Sequence, residues 1–300
     1  MITIMTPTYN RAYILDKAYA SLKKQTSFDF EWIIVDDGSS DNTEELVDGW
    51  IKSEGNFTIV YEKQPNGGKH RAVNRGVSLA KYDYFLILDS DDTLAENAVE
   101  LVHKWIADIE GLPAFAGVSG MKETSRGVVG ATLKKQYIDA TNLERKKHGL
   151  MGDKAEVYKT DVLRQYPFPE FEGENFIRES AVWDLIAKDG LKIRWCNEVI
   201  YFCEYIEDGL TKNTNEETYA KNFQGFTYCT KLFLQTHSFA WRLNKCGQFY
   251  RVAKLRGISK RETCTILGIN SFVLNCGIAY FEFRQLIKSV ARKLFKVIKS

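Results

Sequence analysis

The sequence has few prolines and few histidines, and it has almost no net charge. Its 300 residues include 5 prolines and 4 histidines, and 41 Lys and Arg balance 39 Asp and Glu. The six cysteines form no C-x-x-C pair and have no histidine at zinc spacing, which argues against a zinc site and predicts reduced thiols. Neither G-x-G-x-x-G nor a P-loop motif is present. Because 44% of the residues are hydrophobic, a disordered, collagen-like or coiled-coil chain is excluded.

The sequence has no clear signal peptide or membrane-spanning segment, and its charges are unevenly distributed. Residues 1–5 carry no basic side chain and precede Pro7, unlike a signal peptide, so a cytoplasmic protein is expected. Residues 263–281 are uncharged, but Thr, Asn and Gly interrupt them, which favours a buried helix over a membrane span. Residues 245–300 hold 12 basic and 2 acidic residues (+10), which leaves 29 basic and 37 acidic residues (−8) before them. The chain therefore combines an acidic body with a basic tail.

Short β-rich apolar runs alternate with helical patterns through the first 120 residues. The predicted strands, each followed by a predicted helix, cover residues 2–6, 32–35, 57–61 and 84–88. This alternation predicts an α/β fold with a mostly parallel, Rossmann-like sheet. Each strand ends in polar or glycine-rich residues, and ligands of such sheets bind at the carboxyl ends of the strands. The four loops are therefore expected to converge on one site.

The rest of the chain changes character twice. Residues 113–205 have the pattern of an α+β half, with residues 204–211 as a predicted loop, and residues from 214 onward are helical to the end. The last predicted helix, 280–298, carries an apolar stripe that includes Phe283 and Leu286, and Lys or Arg recurs every four residues from Arg284. Two interpretations stay open for this helix. It lies on an anionic membrane surface, or it packs on the protein with a solvated basic face.

Three carboxylates follow the fourth predicted strand, in Asp89-Ser90-Asp91-Asp92. Carboxylates crowded at the end of a buried strand repel each other unless a cation or strong donors neutralise them. Mg²⁺ or Mn²⁺, bound through one or two carboxylates and substrate phosphate oxygens, meets that need. The alternative is that Asp92 caps the following helix and the other two are solvated. Capping requires only one aspartate and leaves two unexplained.

Two further loops carry polar groups suited to a nucleotide. Asp36 and Asp37 precede Gly38 after the second strand, and one carboxylate could accept hydrogen bonds from a base or a ribose. Gly67 and Gly68, followed by Lys69, His70 and Arg71, place flexible backbone and cations before a helix, which suits a phosphate. An ordinary helix-capping loop and a solvated basic helix start are the alternatives. Each motif alone is weak.

Together, the motifs resemble a known family in both order and spacing. Residues 7–11 (PTYNR), 33–41 (IIVDDGSSD), 66–68 (NGG) with Arg71 and Asn74, and 88–92 (LDSDD) resemble the signature of family-2 glycosyltransferases with the GT-A fold. The resemblance is close over about residues 1–120 and looser to about 210. It implies a GT-A catalytic domain at 1–212, with a nucleotide-sugar-binding half at 1–112 and an acceptor-binding half at 113–212. The helical region then spans 213–300.

The resemblance implies an inverting transfer of a sugar from a nucleotide diphosphate sugar, usually linked to UDP, to an acceptor hydroxyl. Mn²⁺ or Mg²⁺ would act as cofactor on the diphosphate. The positions implied to bind the donor are Pro7, Thr8, Tyr9, Arg11, Asp37, Lys69, Arg71, Asp89 and Ser90.

These positions have different implied roles. Pro7, Thr8 and Tyr9 correspond to the segment that lines base and ribose, and Asp37 corresponds to the acid that contacts uracil. Arg11 and either Lys69 or Arg71 would face the diphosphate. Asp91 would bind the metal, and Asp89 would hold the ribose or a metal-bound water.

The general base is the point at which this sequence departs from the family. Members commonly carry the base in a Glu-Asp pair before a helix, but here the pair reads Glu174-Asn175, and asparagine cannot accept the proton. Glu174 is the first choice because it keeps the position of the motif. Glu179 is the second, because it shares a largely apolar helical face with Phe176 and Trp183, which would raise the pKa of a carboxyl.

Two other functions are kept beside the transferase. The loss of the expected acid at Asn175 also suits a non-catalytic protein that binds nucleotide sugars as a scaffold. A nucleotidyltransferase on a related fold is less favoured, because the Gly-rich N-terminal loop is missing. Expected partners are a glycan or lipid-linked glycan acceptor and, through 280–300, the inner face of an anionic membrane. Nucleic acid is not an expected partner, since no binding motif accompanies the acidic body.

Overall fold

The computed structural model describes residues 1–204 and 214–299, and side chains of the second range as far as residue 291. The described chain forms two compact units. The first comprises residues 1–170 and 182–204, and the second comprises residues 171–181 and 214–299. The predicted boundary at residue 212 and nearly all of the predicted loop at 204–211 lie outside the described residues. The sequence pattern does not reveal that residues 171–181 belong with the C-terminal helices.

Four parallel strands begin the first unit, and their positions agree with the predicted alternation. They are β1 (Ile2–Thr8), β2 (Phe30–Asp36), β3 (Thr58–Lys63) and β4 (Tyr84–Ile87), in the spatial order β3-β2-β1-β4. Every residue of β2 is buried, as in a central strand that is covered on both faces. The register pairs Thr8 with Asp36 and Asp36 with Lys63, so β1, β2 and β3 end level with one another.

Helices follow the four strands and supply the apolar cover of the sheet. They are α1 (Ala12–Lys23), α2 (Thr43–Ser53), α3 (Lys69–Leu79) and, after the short strand β5 (Thr93–Leu94), α4 (Ala98–Ala107). Apolar residues of α1, α2 and α4 share one core cluster with β1 and β2, including Leu15, Leu22, Val47, Val102, Ile4 and Trp32. This packing holds the start of each helix next to the end of the strand before it.

The second part of the first unit extends the sheet with mixed pairing. Its strands are β6 (Phe115–Thr124), β7 (Gly127–Val128), β8 (Tyr137–Ala140), β9 (Lys154–Lys159) and β10 (Lys192–Phe202). A 3-10 helix (Asn142–His148), α5 (Thr160–Gln165) and α6 (Ser180–Lys188) complete it, although α6 begins within the second unit. β9 lies antiparallel between β4 and β6, whereas β6 and β10 are parallel. The sheet order is β3-β2-β1-β4-β9-β6-β10-β5.

The second unit is helical, which confirms the predicted C-terminal extension. Its helices are α7 (Glu216–Lys221), α8 (Phe223–Thr236), α9 (Phe239–Leu255), α10 (Lys260–Leu267) and α11 (Ser271–Lys299). They pack around a core of their own that includes Phe226, Phe249 and Leu274. α9 and α11 approach closely at Gly247 and Gly277, where a Cβ on Gly277 would lie 2.8 Å from the carbonyl oxygen of Leu243.

The uncharged stretch 263–281 is divided between two helices. The prediction of one buried helix over this stretch is therefore wrong. α10 ends before Gly268, which adopts a left-handed conformation (φ 66°), and the Asn270 side chain accepts the backbone N–H of Val273 at 2.9 Å. These two local signals break the helix. Judged on length and hydropathy, no single described helix qualifies as a membrane span, and one bent pair, Lys260–Leu267 with Ser271–Ala291, qualifies only jointly.

Candidate active site

The loops that follow β1, β2, β3 and β4 are joined to one another, as the sequence predicts. Each loop contacts the next by a hydrogen bond or an ion pair, and the last loop returns to the first. The links run from Thr8 to Asp37, from Asp37 to Gly67 and Gly68, from Lys69 to Asp89, and from Asp91 to Arg11. The carboxyl edge of the parallel strands therefore carries one connected polar cluster.

The first two loops are fixed by backbone and side-chain hydrogen bonds. Asn10, with φ 52°, donates its N–H to the Ser39 hydroxyl, and its side-chain oxygen accepts the Ser40 N–H, both at 2.8 Å. The Asp41 carboxylate accepts the Ala12 N–H at 3.0 Å and the Thr43 N–H at 3.2 Å, at the starts of α1 and α2. Arg11, which directly precedes α1, is held between these anchored residues.

Asp37 uses both carboxylate oxygens to hold the glycine loop. Its Oδ1 accepts the Gln64 side-chain amide at 2.7 Å and the Gly67 N–H at 2.9 Å, and its Oδ2 accepts the Gly68 N–H at 2.7 Å. The side chain of Asn66 in turn donates to the backbone carbonyl of Asp37 at 2.9 Å. Asp37 is only 4% exposed. The predicted uracil contact stays a prediction, and the structure adds an anchoring role that the motif does not reveal.

Two ion pairs place the acidic motif next to the cations of the neighbouring loops. Lys69 Nζ lies 2.6 Å from Asp89 Oδ1, and Arg11 Nη1 lies 3.2 Å from Asp91 Oδ2. Burial would raise the pKa of the Asp89 carboxyl, but the charges of Lys69 and Lys122 outweigh burial, so this pKa is lowered. The Asp89 carboxylate is consequently ionised at neutral pH.

The carboxylates of Asp89 and Asp91 suit a divalent cation that takes its other ligands from outside the protein. Within the described residues no group of three or more His, Cys, Asp or Glu side chains is arranged to hold a metal ion. Mg²⁺ needs no such group, because it commonly binds one or two carboxylates and takes its other ligands from water and substrate phosphates. Asp89 and Asp91 provide two carboxylates two residues apart. The chemistry of the site therefore agrees with the cofactor expected from the sequence.

Asp92 differs from Asp89 and Asp91 in its environment. It is 7% exposed and hydrogen-bonds to the phenol of Tyr201, which also accepts the backbone N–H of Asp89 at 2.9 Å. Burial and the negative charge of Asp89 raise the pKa of Asp92 to about 7. Lys122 lies 4.0 Å from the centre of the Tyr201 ring. Tyr201 and Lys122 support the acidic loop, and no motif in the sequence marks either of them.

The remaining predicted donor residues differ in exposure. Tyr9 is 49% exposed, whereas Thr8 is 3% and Ser90 is 5% exposed, and Pro7 is half-buried. Within the described structure the Thr8 hydroxyl has no hydrogen-bond partner although it is buried, which suits a group that binds a ligand. Thr8, the last residue of β1, accepts the Asp37 N–H through its carbonyl at 2.8 Å, and the base-binding role of Thr8 and Tyr9 stays a prediction.

Arg71 is held by a residue that the sequence did not single out. Its Nε lies 3.2 Å from Glu170 Oε2, and Asn74 donates to the same carboxylate at 2.8 Å. Arg71 also donates to the carbonyl of Gly67. The predicted role of Arg71 at the diphosphate stays untested, and these contacts make Lys69, beside Asp89, the better-placed cation.

Glu174, the first choice for the general base, lies in the second unit and caps a helix. Its Oε1 accepts the Gln224 N–H at 2.7 Å and its Oε2 accepts the Gly225 N–H at 2.8 Å, in the first turn of α8. The side chain is 8% exposed. A carboxylate at a helix N-terminus is stabilised by unpaired backbone N–H groups and by the helix dipole. This geometry accounts for an acid at position 174 without catalysis, and the catalytic role stays a prediction.

Glu179, the second choice, also lies in the second unit, directly before α6. This helix begins at Ser180, so the expected helical face shared by Phe176, Glu179 and Trp183 does not exist. The Asn222 side chain accepts the N–H groups of Asn175 and Phe176 at 2.9 and 3.0 Å, so these two N–H groups are paired outside any helix. Glu179 is half-buried. The shared apolar face therefore no longer supports Glu179 as the general base. The role stays a prediction, because Glu179 is a carboxylate close in sequence to the Glu174-Asn175 pair.

His70 should make the first unit less stable in acid. It is 5% exposed in the first turn of α3, and burial together with the charge of Arg71 lowers its pKa to about 4. Because the unfolded chain binds a proton near pH 6.5, this stabilisation is complete above that pH and is lost as the pH falls toward 4. We expect the wild type to lose about 2–3 kcal/mol more than His70→Gln between these pH values in urea unfolding. Equal losses would contradict this.

Comparison with known proteins agrees with the resemblance to family-2 glycosyltransferases. The glycosyl transferase family 2 model matches residues 3–155. Glycosyltransferase GlyG of Streptococcus pneumoniae is 33% identical over 108 residues, which cover 36% of each protein. Abequosyltransferase RfbV of Salmonella typhimurium is 37% identical over 109 residues, 35% of this chain and 32% of that protein. The aligned part thus spans about a third of each of these relatives.

Solved structures match over nearly the whole chain. S. aureus TarS 1-349 in complex with UDP-GlcNAc has a TM-score of 0.63 at 18% identity and covers 95% of this chain and 91% of its own. The mannosyltransferase PcManGT from Pyrobaculum calidifontis, in complex with GDP-Man and Mn²⁺, has a TM-score of 0.54 at 15% identity, with 94% and 87% covered. At these identities the similarity concerns the fold, and it confirms the predicted GT-A fold. Since the family model matches about half of the 300 residues, the chain belongs to glycosyl transferase family 2.

Proposed function

We propose that the protein transfers a sugar, with inversion, from a UDP-linked donor to an acceptor hydroxyl during polysaccharide or glycoconjugate assembly. The observation that carries the proposal is the connected cluster at the carboxyl edge, in which Lys69–Asp89 and Arg11–Asp91 pair cations with carboxylates. The names of the relatives support transfer of a sugar, and the solved structures with UDP-GlcNAc and with GDP-Man support a nucleotide diphosphate sugar as donor.

In this proposal the first unit binds the donor and stabilises the leaving group. Thr8 and Tyr9 line the base and ribose, and Asp89 and Asp91 hold Mn²⁺ or Mg²⁺. The cation, when bound, neutralises charge that develops on the diphosphate. Arg11 and Lys69, which pair with the two carboxylates, can turn to the diphosphate oxygens and share that task. Charge balance then favours joint binding of metal and nucleotide, since the two carboxylates alone are already neutralised by two cations.

Inversion requires a single displacement and a base for the acceptor. The acceptor oxygen forms a bond to the anomeric carbon, the bond from that carbon to the diphosphate oxygen breaks, and the acceptor proton passes to a carboxylate. Glu174 and Glu179 are the candidates for this carboxylate. Both oxygens of Glu174 accept backbone N–H groups of α8, which a proton acceptor at this position would have to share.

A specific observation also favours a second candidate function, binding of nucleotide sugars without transfer. Asn175 replaces the acid found at this position in the family, and Glu174 is committed to helix capping. In that case the first unit would bind donor and metal as proposed, while no acceptor would be deprotonated.

Nucleotide release separates the two functions. The protein is incubated with UDP-sugars, Mn²⁺ and candidate acceptors, and free UDP is measured beside the thermal shift that each donor causes. A donor at 100 times its dissociation constant should add about 2.7 kcal/mol of stability. Transfer predicts release, whereas stabilisation without release under any acceptor supports the scaffold. If the donors cause neither UDP release nor a thermal shift, both functions are refuted.

The base is then identified by comparing Glu174→Gln, Glu179→Gln and a control, Glu172→Gln, which changes an exposed glutamate of the same segment. Removing the base should lower turnover about a hundredfold while the donor still causes its thermal shift. Glu174→Gln should also lower the melting temperature without ligand, because it weakens the cap of α8. If neither variant slows transfer, both base candidates are wrong.

A further inference from the structure

As far as residue 291, helix α11 is apolar on two opposite faces, and only one of them packs on other residues that the structure describes. Leu274 and Phe281 are buried, at 0% and 6% exposure, and lie on the side that packs in the helical unit. The other face is solvent-exposed, with exposed fractions of 76%, 60%, 62%, 51% and 48% for Phe272, Phe283, Leu286, Ile287 and Val290. These five residues are called the apolar stripe below.

The members of the stripe lie along one side of the helix. Phe272 and Phe283 are eleven residues apart, close to three turns of about 3.6 residues, and the later members follow at intervals of three, one and three. From residue 285 to residue 291 every residue is exposed, so no described segment covers this part of the stripe. The four large apolar side chains from Phe283 to Val290 are exposed next to one another, which marks an interaction surface rather than an ordinary solvent-facing helix.

The charge beside the stripe indicates what the surface binds. Residues 280–300 contain six Lys and Arg and one acid, Glu282, for a net charge of +5. Arg284 and Lys288 each follow a stripe residue, Phe283 and Ile287, by one position and so lie about 100° round the helix from it, and the sequence carries four more cations after residue 291. Trp241 of α9, which is 38% exposed, lies with its ring 5.4 Å from the Arg284 guanidinium. An apolar row flanked by cations and an aromatic ring is suited to a lipid–water interface.

We propose that the apolar stripe of α11 docks on an anionic lipid surface, with the helix lying in the plane of the interface. The apolar side chains would enter the acyl boundary, while the cations would face the phosphate headgroups. A second copy of this chain suits the surface less well, since two segments of charge +5 would be brought together. This proposal goes beyond sugar transfer and does not depend on which donor or acceptor is used.

Vesicle sedimentation of the full chain tests the proposal. We expect binding to phosphatidylglycerol vesicles, little binding to phosphatidylcholine vesicles, and release from the former at about 0.5 M salt. The double substitution Leu286→Gln/Ile287→Gln, which leaves the charge unchanged, should weaken binding about tenfold or more. The control Ser289→Gln changes an exposed polar residue of the same turn and should stay within about twofold of the wild type.

Thermal unfolding of both variants checks that the helical unit is intact, since the substituted side chains are exposed. Absence of binding to phosphatidylglycerol vesicles would overturn the proposal. So would binding that Leu286→Gln/Ile287→Gln leaves unchanged. Light scattering that gives a dimer without lipid, abolished by the same double variant, would assign the stripe to a second copy instead and would likewise overturn it.

Discussion

Asp91→Asn should lower the rate of sugar transfer about a thousandfold, or about 4 kcal/mol of transition-state stabilisation. In the structure Asp91 lies 3.2 Å from Arg11, with side chains 16% and 15% exposed. Asparagine keeps the shape of the side chain but removes the negative charge that a divalent cation needs. Arg11 would also lose its carboxylate partner. The substitution should therefore reduce metal binding far more than it reduces folding stability.

Metal binding is measured directly, by Mn²⁺ electron paramagnetic resonance with and without UDP. For the wild type we expect Mn²⁺ to bind tightly only when UDP is present, because Lys69 and Arg11 neutralise Asp89 and Asp91 in its absence. Asp91→Asn should abolish the UDP-dependent binding. Asp16→Asn, the same change at an exposed aspartate of α1, serves as the control and should bind Mn²⁺ like the wild type.

Other outcomes of this experiment would exclude parts of the proposal. Wild-type transfer that persists in excess EDTA would exclude the metal cofactor and leave Arg11 and Lys69 as the groups that stabilise the diphosphate. Unchanged UDP-dependent Mn²⁺ binding by Asp91→Asn would instead assign the metal to other oxygens of the site.

The first four strands and the loops after them could be predicted from the sequence because their signals are local. Strand, polar loop and helix follow one another, and in a parallel sheet this order alone brings the loops after β1, β2, β3 and β4 to one edge. The acidic motif is recognisable for the same reason, since Asp89 and Asp91 follow an apolar strand directly. In contrast, the antiparallel insertion of β9 between β4 and β6 depends on pairing between distant segments, which no local pattern specifies.

The capping contacts of Glu174 could not be predicted, because the groups that make them are distant in sequence. Glu174 accepts hydrogen bonds from residues 50 and 51 positions later, at the start of α8. An isolated motif does not distinguish a carboxylate that takes a proton from one that caps a helix elsewhere in the chain. Tyr201 is a similar case, since it lies 112 residues from the Asp89 N–H that it accepts.

Asp37→Asn should destabilise the first unit by about 2–3 kcal/mol, even without ligand. The carboxylate is 4% exposed and accepts three donors, from Gln64, Gly67 and Gly68. An asparagine amide group must face at least one of these donors, so a buried N–H would lose its acceptor in either orientation. The loop that carries Lys69 would loosen, and donor affinity should fall with the stability.

Comparison of two nucleotides with a partner variant distinguishes this anchoring role from recognition of uracil. Gln64→Met removes one of the three donors and should cost about 1 kcal/mol in chemical unfolding, less than Asp37→Asn. If Asp37 acts as an anchor, Asp37→Asn weakens binding of UDP and of GDP by similar factors. A selective loss of UDP binding at wild-type stability would mean that the carboxylate reads the base and that its bonds to Gly67 and Gly68 contribute little. Loss of both stability and UDP preference would assign both roles to one side chain, which would then couple base recognition to the position of Lys69.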